Sequence, residues 1–417
     1  MIKPQTLKGF RDFLPAQSRK RQYVISKLKQ AFERFGFEPL ETPVLEYEEV
    51  LTGKYGQEGE KLMYRFEDHG KRRVAMRYDQ TVPLARVIAQ YQNEIAFPFK
   101  RYQIQPVWRA ENTQKGRYRE FYQCDCDSVG IDSALADAEI IATAIAAYKA
   151  LGFKTIKVLL NDRAVFTGLA NGTIAVLDKL QKIGKEGVSQ ELVGRKLVGT
   201  REEARILLQS ILDTEMTERL VAVLQLLQQF GIDESAIQFS PTLARGLDYY
   251  TGIIFEIEVA EYPAGSLSGG GRYDNLIGIF ADRQFPAVGF ALGFDRTIEA
   301  MDALNLFPAD LALSSTQVLV TIFSEELKQK SLDLCSRLRS NTINAEIYLG
   351  EIKNNKPLER QLKYADQKGI PYVIILGPEE VEKNMLTVKN LQTRRQKQLS
   401  LPEFIQEVTT DSVATQM

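Results

Sequence analysis

The apolar residues of this chain follow two rhythms, one repeating every three to four positions and one every second position, and the switches between them predict its elements. Between residues 18 and 35, Tyr23, Val24, Leu28, Ala31, Phe32 and Phe35 recur at helical spacing, and Gly36 is placed to end the helix. A short extended run follows through Pro43, Val44 and Leu45. Residues 63–66 and 74–77 predict a hairpin with Asp68-His69-Gly70 in its turn. Residues 99–108 and 119–129 predict two longer strands, joined by a polar loop over 109–118. An Ala-rich helix is expected at 132–150 and a strand at 156–160. Residues 166–236 are rich in Leu, Lys, Glu and Gln at helical spacing and read as a helical insertion. Strand character returns over 248–259, where Ile253, Phe255 and Ile257 alternate with their neighbours, and again over 286–292. A helix from about 295 to 304 and a linker over 307–315 follow.

Beyond the linker, strands (318–323, 345–348, 372–376) alternate with helices (325–339, 356–368). That order predicts a small three-layer α/β domain. The expected organisation is a core domain built from 1–165 and 237–310, a helical insertion at 166–236, a C-terminal domain at 316–408 and a frayed polar tail at 409–417.

At 417 residues the chain is too long for one ordinary core. Its 44% hydrophobic and 26% charged residues fit a soluble globular protein. The formal net charge of −1 means that any contact with nucleic acid must come from local patches. No apolar run approaches the roughly 20 residues that span a bilayer, and residues 1–13 lack an apolar signal core, so a cytoplasmic location is expected. Cys124, Cys126 and Cys335 are too few and too oddly numbered for a disulfide framework. In a strand Cys124 and Cys126 point to one side, which suits core packing better than a zinc site lacking a second thiol pair. His69 is the only histidine. Its scarcity argues against a His-based metal cluster or a Ser-His-Asp triad, and no dedicated metal site is expected. Charge stabilisation must rest on Arg, Lys, Asp, Glu, Tyr or substrate groups.

Four clusters carry candidate chemistry. In the first, Arg109 and Glu111 precede a loop with Lys115-Gly116-Arg117, and Phe121, Gln123, Asp125 and Asp127 then share one strand face. An aromatic ring, an amide and carboxylates would line one surface, with Arg109 joining from the partner strand. Such a face could bind an adenylate, the Arg neutralising a phosphate and the carboxylates holding an ammonium; a mixed-charge surface hairpin is the alternative. The second is Ala244-Arg245-Gly246-Leu247-Asp248-Tyr249-Tyr250-Thr251-Gly252, where a strand entry with an Arg–Asp pair is the simpler reading. The third, Ser268-Gly269-Gly270-Gly271-Arg272-Tyr273-Asp274, allows close backbone approach to a ligand but lacks the context of a Walker or dinucleotide-binding loop. The fourth is a strand running into a helix, Gly289 to Arg296, whose arginine could pack on a base.

Together these clusters resemble class II aminoacyl-tRNA synthetases, and more narrowly the histidyl-tRNA synthetase family. The narrower likeness rests on the stretches 245–252 and 269–274, on Lys8-Gly9-Phe10-Arg11-Asp12-Phe13-Leu14-Pro15, and on Gln361-Leu362-Lys363-Tyr364-Ala365-Asp366 with Gly369-Ile370-Pro371-Tyr372. The resemblance implies an α+β catalytic domain, an antiparallel sheet flanked by helices, with a C-terminal α/β anticodon-binding domain. It implies a cytoplasmic homodimer that joins L-histidine to tRNA(His) using ATP with Mg²⁺. By the same resemblance Arg109 and Arg245 are catalytic, Arg245 standing where related enzymes place a metal. Arg109, Glu111, Arg117, Phe121 and Arg296 would bind ATP, with Phe121 on the adenine. Asp79, Gln80, Thr81, Gln123, Asp127, Arg245, Tyr249 and Tyr250 would bind histidine, the two tyrosines facing its imidazole. RNA contacts are expected from the 112–118 loop and from the C-terminal domain, with Lys353, Lys356 and Arg360 as candidates. A histidine-binding regulatory subunit of ATP phosphoribosyltransferase is the alternative. Such paralogues typically lose the C-terminal domain and parts of the catalytic motifs, which are present here.

Overall fold

The chain's structure is a computed structural model that describes residues 2–416 apart from 55, 114–115, 246–248, 264, 310, 312–313 and 352–356, and side chains for these apart from 56–58, 357 and 411–416. It divides into one unit of residues 1–12 and 21–307 and another of 13–20 and 308–417.

In chain order the larger unit contains strands β1 (Glu38–Pro39), β2 (Leu45–Tyr47), β3 (Arg65–Glu67), β4 (Arg73–Met76), β5 (Phe99–Trp108), β6 (Glu120–Val129), β7 (Ile156–Asp162), β8 (Ile237–Phe239), β9 (Ile253–Val259), β10 (Ser268–Arg272) and β11 (Ala287–Gly293). Its helices are α1 (Pro15–Arg34, from Arg21 onward), α2 (Glu48–Leu51), α3 (Gly56–Lys61), α4 (Thr81–Tyr91), α5 (Ala134–Ala150), α6 (Asn171–Leu177), α7 (Leu180–Gly194), α8 (Arg201–Leu212), α9 (Glu218–Gln229) and α10 (Phe294–Ala303). Eight strands form one sheet in the order β1-β5-β6-β11-β10-β9-β7-β8. Its pairs are antiparallel except β1 with β5 and β7 with β8, at the two edges.

Alternation along the strands sorts this sheet into two unlike faces. Tyr102, Cys124, Cys126, Phe290, Leu292, Phe255, Ile257, Val158 and Leu160 join one core with Val24, Leu28 and Phe32 of α1, Ile141, Ile145 and Tyr148 of α5, and Leu220, Val223 and Leu227 of α9. The two strand cysteines are therefore packing groups, as their spacing suggests. The opposite face is polar and shallow. Gln105, Gln103 and Arg101 of β5 stand opposite Gln123, Asp125 and Asp127 of β6. These in turn stand opposite Gly293, Ala291 and Gly289 of β11. Gly269 and Gly271 of β10 follow, then Glu256 and Ile254 of β9.

The helical stretch of the sequence splits in its packing. Residues Ile174, Val176, Leu177, Val188, Leu192, Ala204, Leu208 and Ile211 of α6–α8 share a separate core with Phe166 and Ala244, whereas α9 joins the main core. A three-stranded antiparallel sheet, β2-β4-β3, flanks α4. Here Ala75, Val82, Leu84 and Ile88 pack with Tyr250, Ile254 and Tyr273.

The second unit holds β12 (Val318–Val320), β13 (Ala345–Ile347), β14 (Tyr372–Ile375), β15 (Leu386–Asn390) and β16 (Gln396–Leu399), with α11 (Lys328–Ser340), α12 (Pro357–Lys368), α13 (Pro378–Lys383) and α14 (Leu401–Gln416). Its sheet order is β13-β12-β14-β15-β16, with β12 parallel to both neighbours. Val318, Val320 and Ile374 face Leu334, Leu338, Phe404 and Val408 of α11 and α14, while Leu319 and Val373 pack with Ala365 of α12. These are the three layers expected from the alternation of elements. The hairpin β15–β16 adds two strands that the hydrophobic pattern does not announce, because β16 is almost wholly exposed and polar. The helix α14 continues to Gln416, through the stretch expected to fray. Gln361 is fully buried: its amide accepts from the Ile322 N–H at 2.9 Å and donates to the Ile322 carbonyl at 2.8 Å. Among the described residues no helix is long and apolar enough to cross a membrane.

Candidate active site

Above the polar face of the large sheet lies a cavity of about 810 Å³ lined by Arg109, Glu111, Arg117, Phe121, Gln123, Arg245 and Arg296. Three arginines from distant stretches of chain therefore converge on one space. Each is set differently. Arg109, just past β5, donates from Nε to the Tyr78 carbonyl at 3.0 Å, and its guanidinium lies 4.4 Å from the Tyr78 ring and 5.2 Å from the Phe121 ring. Arg245 forms an ion pair with Glu256 of β9 at 2.9 Å. Its guanidinium rests directly on Gly269, where any Cβ would collide with it. Gly269 thus makes room for a catalytic candidate. Arg296 stands in the first turn of α10, just after β11 ends. Arg117 is 65% exposed and pairs loosely with Glu111 at 3.8 Å.

The residues assigned to an amino acid lie alongside and are more enclosed. Among them only Gln123 and Arg245 line the cavity; Asp79, Gln80, Thr81, Asp127, Tyr249 and Tyr250 do not. Gln80 donates to the carbonyls of Gln105 at 2.9 Å and Gln123 at 3.2 Å, so the start of α4 is fastened to the sheet. Asp79 accepts from the Val82 N–H at 3.1 Å, anchoring the same turn. Tyr249 and Tyr250 pack with ring centroids 4.9 Å apart, and Tyr249 lies 5.8 Å from Tyr273. Burial pushes the hydroxyls of Tyr249 and Tyr273 well above the ordinary tyrosine value. The two sets meet at Tyr250, whose ring packs on Tyr249 and which lies in the field of Arg245.

Asp127 is not an open carboxylate. It pairs with fully buried Arg101 at 2.7 Å and accepts a hydrogen bond from the Tyr273 hydroxyl. Burial raises its pKa despite Arg101. Asp125, two residues earlier on the same face, has one oxygen (Oδ1) that is buried and accepts no hydrogen bond among the described residues. Burial raises this carboxyl well above the ordinary aspartate range. Arg101 opposes that shift, and Asp127 and Asp79 add to it. The Oε1 atoms of Gln80 and Gln123 are likewise buried acceptors without a donor. Unsatisfied buried acceptors are rare in native proteins and call for a reason.

Sequence reasoning passes over several residues that the fold puts to use. Glu256 and Glu258 line the cavity because Ile253, Phe255 and Ile257 take the core face of β9; the alternation already carries that signal. Ser266 adds a hydrogen bond to Glu256. Asp178, Gln181 and Lys182 enter the cavity from the helical module, which no local motif announces. Arg272, in the glycine-rich motif, points to the core side, where it clamps Asp137 of α5 at 2.6 Å. Leu247 and Asp248, and the candidates Lys353 and Lys356, lie outside the described residues.

A mainly antiparallel sheet, with arginines arriving from a strand–loop–strand and from a strand-to-helix junction onto its polar face, is the catalytic architecture of class II aminoacyl-tRNA synthetases. The family model described as "Histidyl-tRNA synthetase" matches residues 9–297, and one described as "Anticodon binding domain" matches residues 317–411. A histidine–tRNA ligase of Cytophaga hutchinsonii is 38% identical over 457 aligned positions that cover 98% of this chain and 100% of its own. One of Rhodopirellula baltica is 40% identical over 425 positions, covering 94% of this chain and 95% of its own. The crystal structure of histidyl-tRNA synthetase from Nostoc sp. PCC 7120 superposes with a TM-score of 0.84 at 27% identity, over 99% of this chain and 100% of that one. The chain belongs to the histidyl-tRNA synthetase family.

Proposed function

We propose that this enzyme activates L-histidine with ATP as an adenylate and transfers the histidyl group to tRNA(His). The observation that carries the reading is the meeting of Arg109, Arg245 and Arg296 in one cavity with Glu111, Arg117 and Phe121. The histidine carboxylate attacks the α-phosphorus of ATP, whose outer phosphates bring Mg²⁺ with them, and pyrophosphate leaves. Arg109 and Arg245 neutralise the charge that grows on the phosphorus oxygens. Phe121 and Arg296 take the adenine, and Glu111 and Arg117 complete the nucleotide's contacts. Asp79, Gln80, Thr81, Gln123 and Asp127 take the α-amino end, and Tyr249 and Tyr250 the imidazole. The buried acceptors of Gln80, Gln123 and Asp125 support this assignment, because a cationic amino acid supplies the donors they lack. The terminal ribose hydroxyl of tRNA then attacks the adenylate carbonyl, and the ester forms as the acyl–phosphate bond breaks, AMP leaves and the hydroxyl proton is released. Neither step asks for an enzyme histidine; alignment and charge stabilisation do the work.

The second unit is read as the anticodon-binding domain, residues 166–236 as an inserted helical region, and the location as cytoplasmic. A homodimer fits the exposed apolar side chains Val44, Leu45, Tyr47 and Phe66, grouped on or beside the small sheet β2-β4-β3. Histidine-dependent exchange of labelled pyrophosphate into ATP tests the function. Wild type exchanges, and Arg245→Ala loses about 10²- to 10³-fold in rate, as expected for a lost charged donor. Histidine binding without any exchange by the wild type would instead point to a regulatory subunit.

A further inference from the structure

We propose that Asp178, at the C-terminal end of α6, is a positioning residue that holds Arg245 in register, so that the helical module belongs to the catalytic machinery. The proposal rests on the reading of Arg245 as the group that stabilises the reacting phosphorus. Asp178 accepts a hydrogen bond from the Ala244 N–H at 2.8 Å, one residue before Arg245. A charged acceptor makes this bond roughly twice as strong as a neutral pair. Ala244 is itself buried in the module's apolar core, beside Val176 and Leu177 of the same helix. From the other side, Asn161 of β7 donates to the carbonyls of Pro241 at 3.0 Å and Leu243 at 2.9 Å. The backbone of 241–244 is therefore gripped between the sheet and the module immediately before the arginine.

Beyond that grip, the side chain of Arg245 has little room to compensate for a shift. Glu256 holds it at 2.9 Å and Gly269 lies directly beneath. Asp178 also lines the same cavity as Arg245, with Gln181 and Lys182 beside it. A backbone displacement of about 1 Å at such a residue is enough to slow chemistry by about 10²-fold. The module, remote from the substrate in sequence, thus acts through one carboxylate and one amide.

Pyrophosphate exchange by the full-length enzyme tests this. Asp178→Ala should lower kcat about 10- to 100-fold while KM for ATP and for histidine changes less than about threefold. Asp178→Asn keeps an oxygen acceptor and should recover most of the rate. In the Arg245→Ala background, Asp178→Ala should cost almost nothing more. Asp178→Leu removes the acceptor at similar bulk and carries the same expectation if the alanine variant folds poorly. Equal loss in the alanine and asparagine variants, or an undiminished effect without Arg245, would overturn the proposal. A strong Arg245→Ala defect with a wild-type Asp178→Ala sinks only this inference. Normal exchange by Arg245→Ala sinks the reading of Arg245 beneath it.

Discussion

Buried charge decides much at the scale of single residues. Arg77, Arg101 and Arg272 are among the largest fully buried side chains, and each is matched by fixed partners. Arg77 donates to the carbonyls of Thr42 at 2.6 Å and Pro106 at 2.8 Å. Arg272 answers Asp137, a fully buried carboxylate that Arg219 also holds at 2.7 Å, and removing one member of such a buried network leaves its charge undercompensated. Arg272→Ala is expected to destabilise the protein by about 3–5 kcal/mol, measured by urea unfolding. A loss below about 1 kcal/mol, typical of exposed pairs, would refute the account. Asp125 gives the opposite sign. Its carboxyl keeps its proton in the folded state at pH values where the unfolded chain has released it. Stability therefore declines as pH rises from the ordinary aspartate range through the raised value. Asp125→Asn should match wild-type stability in acid and exceed it increasingly toward neutral pH. A gap that does not vary with pH would show that Asp125 is not a protonated buried acid.

Among the elements, β6 and β10 show how strand alternation makes a site. One face of β6 supplies Cys124 and Cys126 to the core, and the other supplies Gln123, Asp125 and Asp127. That division is written in the sequence, since a pleated strand has only two faces. The partners are not. Nothing local to Gly269 shows that Arg245 will lie on it, or that Gly289 leaves room for Asp127. Gly269→Ala is expected to fold but to lower kcat for adenylate formation about tenfold or more, because the new methyl group occupies the guanidinium's place. A variant with unchanged kcat would show that Arg245 has another productive position. The helical module stands on its own small core, so Leu208→Ala should cost about 2–5 kcal/mol there. Hydrogen exchange should then report faster opening of α6–α8 than of the sheet.

The whole molecule has two units, each with its own core. A chain ending within the 307–315 linker should therefore still exchange pyrophosphate, yet charge tRNA with kcat/KM lower by about 1.4 kcal/mol, tenfold, or more. Equal charging by the truncated chain would remove the second unit from RNA recognition. The apolar side chains on the small sheet predict self-association. Phe66→Glu should shift sedimentation from dimer toward monomer, and a monomeric wild type would end that reading.

The sequence by itself did not announce β8, β10, β15 or β16, but it determined most of the longer strands and helices, the two-faced pattern of β6 and the residue types able to stabilise phosphate charge. These depend on local periodicity and side-chain chemistry, which short stretches of chain contain in full. Only the tertiary structure decided that Asp127 pairs with Arg101 and Tyr273 while an oxygen of Asp125 accepts no hydrogen bond among the described residues, that Arg272 serves the core, and that Asp178 at the end of α6 reaches Ala244 beside Arg245. Those outcomes are pairings between residues far apart in the chain. A buried group's charge, freedom and purpose are set by whichever partner the fold brings to it.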